Sequence, residues 1–313
     1  MDVSKIFDAL NDAQREAVGA TPGPMLVLAG AGSGKTRVLT YRIAYLVQAL
    51  QASPYSILAV TFTNKAASEM RRRIEDFLGF SVRGMWIGTF HGLSHRLLRD
   101  HHELAGLPSG FEILDSDDQY RVIRRALREM NLDEEHWPPR QVQWFINSQK
   151  EEGRRSAALH GTGDAHQQTL IRVYTHYEET CKRLGLVDFA ELLLSALELL
   201  EQNQSLRENY QQRFQHVLVD EFQDSNTIQY RWLKCLALAH GQIMAVGDDD
   251  QSIYGWRGAR IENMAQLQKD FTGTEVVRLE QNYRSTGNIL KAANAVIDLN
   301  PDRMGKNLWT EGD

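Results

Sequence analysis

The stretch MLVLAGAGSGKT, Met25 to Thr36, decides how the rest of the chain is read. Its apolar start, MLVLAG (Met25–Gly30), suits a buried strand, and the pattern over Lys35–Leu50 suits a helix. Between them runs AGAGSGKT. Strand, glycine-rich loop and helix in this order match the phosphate-binding spacing G-x-x-x-x-G-K-[ST], with Ala29 in place of the first glycine. The loop residues Ala29, Gly30, Ala31, Gly32, Ser33 and Gly34 are the expected nucleotide contacts. Without a Cβ at the glycines, backbone N–H groups can converge on phosphate oxygens. Lys35 would neutralise β- and γ-phosphate charge, and the Thr36 hydroxyl would bind Mg²⁺. An ordinary glycine turn before a helix is the competing reading, and the complete strand–loop–helix context disfavours it.

Outward from this loop, ILAVTF (Ile57–Phe62), MWIGTF (Met85–Phe90), HVLVDE (His216–Glu221), QIMAVGD (Gln242–Asp248) and EVVRL (Glu275–Leu279) read as further strands. Most are apolar on both faces, as in a parallel sheet covered by helices such as Asn64–Leu78. The middle of the chain differs. From residue 90 to 214 no strand is evident. Ser116-Asp-Asp-Gln119 reads as a capping box. Leu170, Val173, Tyr174, Tyr177, Cys181 and Leu184 make a helical stripe, and Asp188-Phe-Ala-Glu191 opens another helix. Pro138-Pro139 and Gly161–Asp164 read as loops. The expected organisation is an α/β domain over 1–89 and 215–280, with an all-helical subdomain inserted at 90–214. Residues 281–313, with a helix near Ser285–Leu299, look like the start of a further domain that is cut short.

A net charge of −6 argues against coating nucleic acid by bulk charge but leaves room for a local groove. No run reaches the ~18 apolar residues of a membrane span, and MDVSKIFDALND is not a secretory signal. Cys181 and Cys235 suggest buried thiols rather than a disulfide framework or a metal cluster. The expectation is a cytoplasmic protein with no membrane partner.

Further motifs extend the nucleotide site. VLVDEFQD (Val217–Asp224) delivers Asp220 and Glu221 to a strand end, where α/β sheets bind ligands. Asp220 would hold Mg²⁺, and Glu221 would orient and deprotonate an attacking water. In LNDAQREAV, the Gln14 amide can read the N6/N7 edge of adenine or simply be a solvated helix residue. In LEQNYRS, Arg284 could reach a γ-phosphate and Tyr283 could stack on a base; an ordinary helix-start pair is the alternative. MAVGDDDQSIYGWRG (Met244–Gly258) sets Gln251 beside Tyr254, Trp256 and Arg257. Phe62, Trp256 and Tyr254 offer flat faces to unpaired bases. Thr61, Thr63, Asn64 and His91 can bond backbone phosphates, and Arg257 adds charge. Core packing is the competing reading for Phe62 and Trp256.

Taken in order, LNDAQREAV, AGAGSGKT, TFTNKAA, GTFHG, VDEFQD, GDDDQSIYGWRG and LEQNYRS resemble the UvrD/Rep/PcrA family of superfamily 1 DNA helicases along essentially the whole chain. The resemblance implies an α/β, RecA-like P-loop NTPase fold with ATP and Mg²⁺ as ligands. It assigns Gln14 to adenine, Gln251 to γ-phosphate sensing and Arg284 to an arginine finger. Arg37 is implied near the nucleotide, with Tyr283 stacked on adenine. Single-stranded DNA is implied to run over Thr61–Ala67, Gly88–Gly92 and Tyr254–Arg257. A 3′-to-5′ helicase acting at single-strand/duplex junctions in DNA repair, with repair proteins as partners, is the implied parent. The later family motifs are absent, so ATPase activity of this stretch is expected to be weak, and Arg284 could lie away from the phosphates. Two other readings are a nucleotide- and DNA-binding module without turnover and, more distantly, a RecB-type helicase–nuclease subunit. Arg121, Arg124, Arg125 and Arg128 share one helix face, read as solvated in preference to DNA-binding.

Overall fold

The computed structural model describes residues 4–159, 164–300 and 303–312. The strands are β1 (Met25–Ala29), β2 (Ile57–Thr61), β3 (Trp86–Thr89), β4 (Glu112–Leu114), β5 (Leu186–Asp188), β6 (His216–Val219), β7 (Ile243–Gly247) and β8 (Glu275–Leu279). The helices are α1 (Ser4–Phe7), α2 (Asp12–Gly19), α3 (Lys35–Gln48), α4 (Asn64–Leu78), α5 (Phe90–Asp100), α6 (Ser116–Glu129) and α7 (Pro139–Glu151). They continue with α8 (Ala165–Leu184), α9 (Phe189–Gln202), α10 (Gln204–Arg213), α11 (Thr227–Ala237), α12 (Glu262–Asp270) and α13 (Gly287–Ile297).

The chain divides into two compact units: Met1–Phe90 with Ser205–Ser225 and Leu233–Asp313, and His91–Gln204 with Asn226–Trp232. The first carries a six-stranded sheet in the order β3-β2-β6-β7-β1-β8. Every pairing in it is parallel, and β1, β2 and β7 are buried along their whole length. Burial on both faces explains why these runs lack the alternation of a half-exposed strand. Ile43 and Leu46 of α3 and Met70 and Ile74 of α4 join Val27, Ala59, Leu218 and Val246 in its core. Tyr210 and Phe214, at the return of the chain, pack on Trp86 with ring centroids 5.6 and 5.1 Å away. A parallel sheet brings all its carboxyl ends to one edge, so the loops after β1, β2, β6, β7 and β8 can cooperate.

The second unit has a core of Ile123, Leu127, Val142, Ile146, Val173, Tyr174 and Tyr177. It is not all-helical as expected: β4 and β5 pair in parallel, Glu112 with Leu186 through Leu114 with Asp188. Strands of three residues are too short for a period of two to show in sequence. The cap of α6 is Asp115, one residue before the expected Ser116; its carboxylate accepts from Asp117 N at 2.9 Å and Asp118 N at 2.8 Å. Both side chains are competent caps, and the helix start at Ser116 gives the position to Asp115. Gln119 instead goes inward and donates to Asn147 at 2.7 Å and Asp188 at 3.2 Å. Pro139 is no loop residue but opens α7, where its missing N–H costs nothing. Of the Gly161–Asp164 loop, residues 161–163 lie outside the described residues, and Asp164 caps α8. No described helix is long and apolar enough to cross a membrane. Cys181 is buried and Cys235 half-buried, with no disulfide between them.

Candidate nucleotide site and nucleic-acid interface

The glycine-rich loop leaves β1 and enters α3 through Gly34, whose φ of 93° is the left-handed conformation that favours glycine. Ser33 tightens the turn, donating from Oγ to Gly30 O at 2.8 Å. Gln14 is fully buried rather than solvated. Its Nε2 donates to Ser33 O at 2.9 Å, and its Oε1 closes a capping box by accepting from Asn11 N at 3.2 Å. In this state the Gln14 amide braces the loop.

Lys35, Thr36, Asp220, Glu221 and Gln251 come together. Lys35 Nζ lies 3.2 Å from Glu221 Oε2 and donates to Gln251 Oε1 at 3.4 Å. Thr36 Oγ1 donates to Asp220 Oδ2 at 3.4 Å. Glu221 has a φ of 49°, unusual for a residue with a side chain. Such geometry costs about 1–3 kcal/mol and persists only where the surroundings enforce it. Part of that enforcement is Gln223, which donates to Glu221 Oε2 at 2.9 Å and accepts from Asp248 N at 3.0 Å. Asp248 Oδ2 in turn accepts from Gln251 Nε2. Glu221, Gln223, Asp248, Gln251 and Lys35 therefore form a closed ring of polar contacts.

The carboxylates show a deficit of positive charge. Burial, then the nearby Glu221, pushes Asp220 up to about 6, offset in part by Lys35 and Thr36. The same two causes push Asp224 up to about 6, and its Oδ1 is buried with no hydrogen-bond partner. A buried carboxylate beside a hydroxyl, short of counter-charge, fits a hard divalent cation such as Mg²⁺.

The segment after β8 lies against the loop. Asn282 Nδ2 donates to Ala31 O at 2.5 Å and Tyr283 N to Gly32 O at 3.0 Å. A Cβ on Gly32 would come within 2.9 Å of Arg284 Cβ, so Arg284 stands beside the phosphate loop and not away from it. Tyr283 is exposed, its hydroxyl accepting from Asn11 Nδ2 at 2.8 Å and donating to Gln281 Oε1 at 2.9 Å. Arg37 is half-buried, with its guanidinium 5.6 Å from the centre of the Tyr41 ring.

Beyond β7, Tyr254, Trp256 and Arg257 cluster. The two rings are 6.4 Å apart, and the Arg257 guanidinium lies 5.7 Å from one and 5.3 Å from the other. Trp256 is 76% exposed, which rules out core packing. Phe62 is half-buried, edge-on to Phe90 at 5.4 Å. Thr63 caps α4, accepting from Ala66 N at 3.1 Å, and Asn64 is exposed. Thr61 is buried inside β2, so its hydroxyl does not face solvent. In the second unit, His91 is half-buried, edge-on to Phe189 at 5.7 Å, and burial lowers its pKa. On α6, Arg121 pairs with Asp118, Arg125 with Glu129, and both Arg124 and Arg128 with Glu134. That face is neutralised by its own acids.

The profile of the UvrD/REP helicase N-terminal domain matches residues 10–272. The chain belongs to this family. It is 60% identical over 312 residues to DNA helicase II of Escherichia coli (strain K12), an alignment covering 100% of this chain and 43% of that protein. To DNA helicase II of Haemophilus influenzae it is 58% identical over 317 residues, covering 100% and 44%. To the ATP-dependent DNA helicase PcrA of Bacillus subtilis it is 44% identical over 311 residues, covering 99% and 42%. The chain thus spans less than half the length of these UvrD/REP relatives.

Sequence reasoning missed Gln223, Asp224 and Asp248. All three lie inside motifs already singled out, but nothing in their spacing marks Gln223 as the bridge from Glu221 to Asp248.

Proposed function

We propose that residues 1–313 are the N-terminal part of an ATP-dependent DNA helicase. They bind ATP with Mg²⁺ and single-stranded DNA, and in the longer protein they hydrolyse ATP to drive translocation and unwinding. The convergence of Lys35, Thr36, Asp220, Glu221 and Gln251 around one phosphate loop carries this reading. On it, 1–89 and 215–280 are the first RecA-like motor domain, 90–214 its insertion and 281–313 the opening of the second.

The roles follow from chemistry. Lys35 and the loop amides bind the β- and γ-phosphates. Thr36 and Asp220 would hold Mg²⁺, which would supply positive charge to the phosphate oxygens. Glu221 takes a proton from the attacking water, and Arg284 offsets charge on the transferred group. Tyr283 and Arg37 flank the base. Gln14 braces the loop and reads adenine once its amide turns outward. Gln251 senses the γ-phosphate, and the loop bearing Tyr254, Trp256 and Arg257 follows it directly, so nucleotide state can alter the hold on a DNA base. Phe62, Thr63, Asn64 and His91 are the further DNA contacts, whereas the buried Thr61 holds the end of β2 behind them. The family resemblance supports 3′-to-5′ polarity, action at single-strand/duplex junctions, repair partners and a cytoplasmic setting.

The test is nucleotide titration with Mg²⁺ on the chain and on Lys35→Ala. Loss of a charge-assisted hydrogen bond should weaken ATP binding by about 10- to 100-fold; equal affinity would overturn the phosphate assignment. A second reading is a nucleotide- and DNA-binding module without turnover. Phosphate release measured with and without single-stranded DNA separates the two.

A further inference from the structure

A second segment reaches the sensor turn from far along the chain. Lys306 is buried, and its Nζ lies 2.7 Å from Asp248 Oδ1 and 2.7 Å from Asp250 Oδ2, with a third bond to Asp249. These three carboxylates approach within 4.8 Å of one another. Three like charges that close repel strongly away from water, and the ammonium lies among them where a cation would otherwise be needed. Arg303 adds a second positive charge, donating to Asp250 at 2.8 and 3.0 Å. Met304 N donates to Asp249 Oδ2 at 2.7 Å.

The segment is anchored on both sides. Arg278 Nε donates to Gly305 O at 2.8 Å, Trp309 N to Glu280 O at 3.1 Å and Asn282 N to Trp309 O at 2.7 Å. Leu308 covers the phosphate loop closely: a Cβ on Gly30 would fall 2.1 Å from Leu308 Cδ2. Lys306 is therefore tied to the end of β8 and to the phosphate loop as well as to the turn.

Asp248 is the joint. Its Oδ1 meets Lys306 and accepts from Asp250 N at 3.1 Å, while its Oδ2 accepts from Gln251 Nε2. An amide donating through Nε2 to a fixed carboxylate has its Oε1 turned the other way, here onto Lys35. Resting on the ATP reading above, we propose that Lys306 is a positioning residue for γ-phosphate recognition: it clamps the three-aspartate turn so that Gln251 points into the phosphate site.

A lysine that merely stabilises the fold would leave nucleotide discrimination alone, so the experiment measures the ratio of ADP to ATP dissociation constants. Competition against a fluorescent ATP analogue in Mg²⁺ reads it on the chain itself. The wild type prefers ATP, and Gln251→Ala loses that preference. Lys306→Met loses about fivefold or more of it, the equivalent of one hydrogen bond. Lys306→Arg regains most of it. Because both residues act through one joint, the Lys306→Met/Gln251→Ala pair falls no further than Gln251→Ala alone. An intact ratio in folded Lys306→Met, or additive losses in the pair, overturns the role of Lys306. A wild type without preference for ATP overturns the functional reading instead. If Lys306→Met does not fold, Lys306→Met/Asp250→Asn removes the uncompensated charge and carries the same readout.

Discussion

Buried charge is handled differently beside the phosphate loop of the first unit and in the core of the second. In the second unit, Lys150 is buried between Asp188 at 2.7 Å and Glu191 at 2.8 Å. Asp188 also accepts from Tyr177 Oη at 2.7 Å and caps α9 through Glu191 N at 2.8 Å. Arg155 reaches Glu178, Glu191 and Glu198. Despite burial, Lys150 and Arg155 hold Glu191 well below the usual carboxylate range, while its carboxylates hold Lys150 above the usual lysine range. In the first unit, Asp220 and Asp224 are pushed up to about 6. The Lys150 and Arg155 cluster satisfies its own charges and holds its unit together. A cluster left short of positive charge is prepared for a ligand that brings it.

This contrast can be broken in four ways. The largest effect belongs to Asp188→Ala, which leaves Lys150 with Glu191 alone and removes the acceptor of Tyr177 and the cap of α9, and should cost about 3–5 kcal/mol in urea unfolding. Asp220→Asn should cost nothing near neutral pH, and equal losses from the two would erase the distinction.

The pH dependence should have opposite signs. Asp220 binds its proton more tightly folded than unfolded, so its contribution is present below pH ~4 and is lost as pH rises through about 6. The rise from an ordinary aspartate value to about 6 is worth up to about 3 kcal/mol. Asp220→Asn should flatten this slope in nucleotide-free melts between pH ~4 and ~7. Glu191 is depressed, so its contribution is present above its unfolded value and is lost as pH falls through its low folded pKa. Its unit should therefore be the acid-labile one, read by Trp137 and Trp144 emission.

Smaller is Trp256→Ala, which should weaken binding of a fluorescent oligonucleotide by about 1–3 kcal/mol while leaving ATP affinity in place. Smallest is Arg125→Ala. Its partner Glu129 lies 2.8 Å away on an exposed face, so stability should move by no more than about 0.5 kcal/mol and DNA affinity by less than about twofold.

Much of this was legible in the sequence. Five strands of the large sheet announce themselves because they are apolar almost throughout and bounded by loops, while the edge strand β8 sets buried Val277 and Leu279 against exposed Glu275 and Arg278. The three residues of β4 and of β5 give no such sign, since pairing with each other and not periodicity defines them. The α6 cap falls one position from its expected place because Asp115 and Ser116 are both competent, and only the helix start decides between them. At the candidate site, residues within a motif could be assigned from chemistry, whereas a solvated Gln14 could not be told from the buried brace the structure contains.

Sequence alone determined the local chemistry: a strand delivering a glycine loop, a lysine and a hydroxyl, another delivering paired acids, and a loop carrying an amide beside aromatic rings. These follow from neighbours along the backbone, whose spacing dictates local conformation. Only the tertiary structure decided which charges are compensated. Lys306 and Asp249 stand 57 positions apart, and nothing in the pattern of either segment points to the other. Their contact arises because a parallel sheet gathers the ends of distant strands on one edge, where burial makes an unpaired charge costly and its partner necessary.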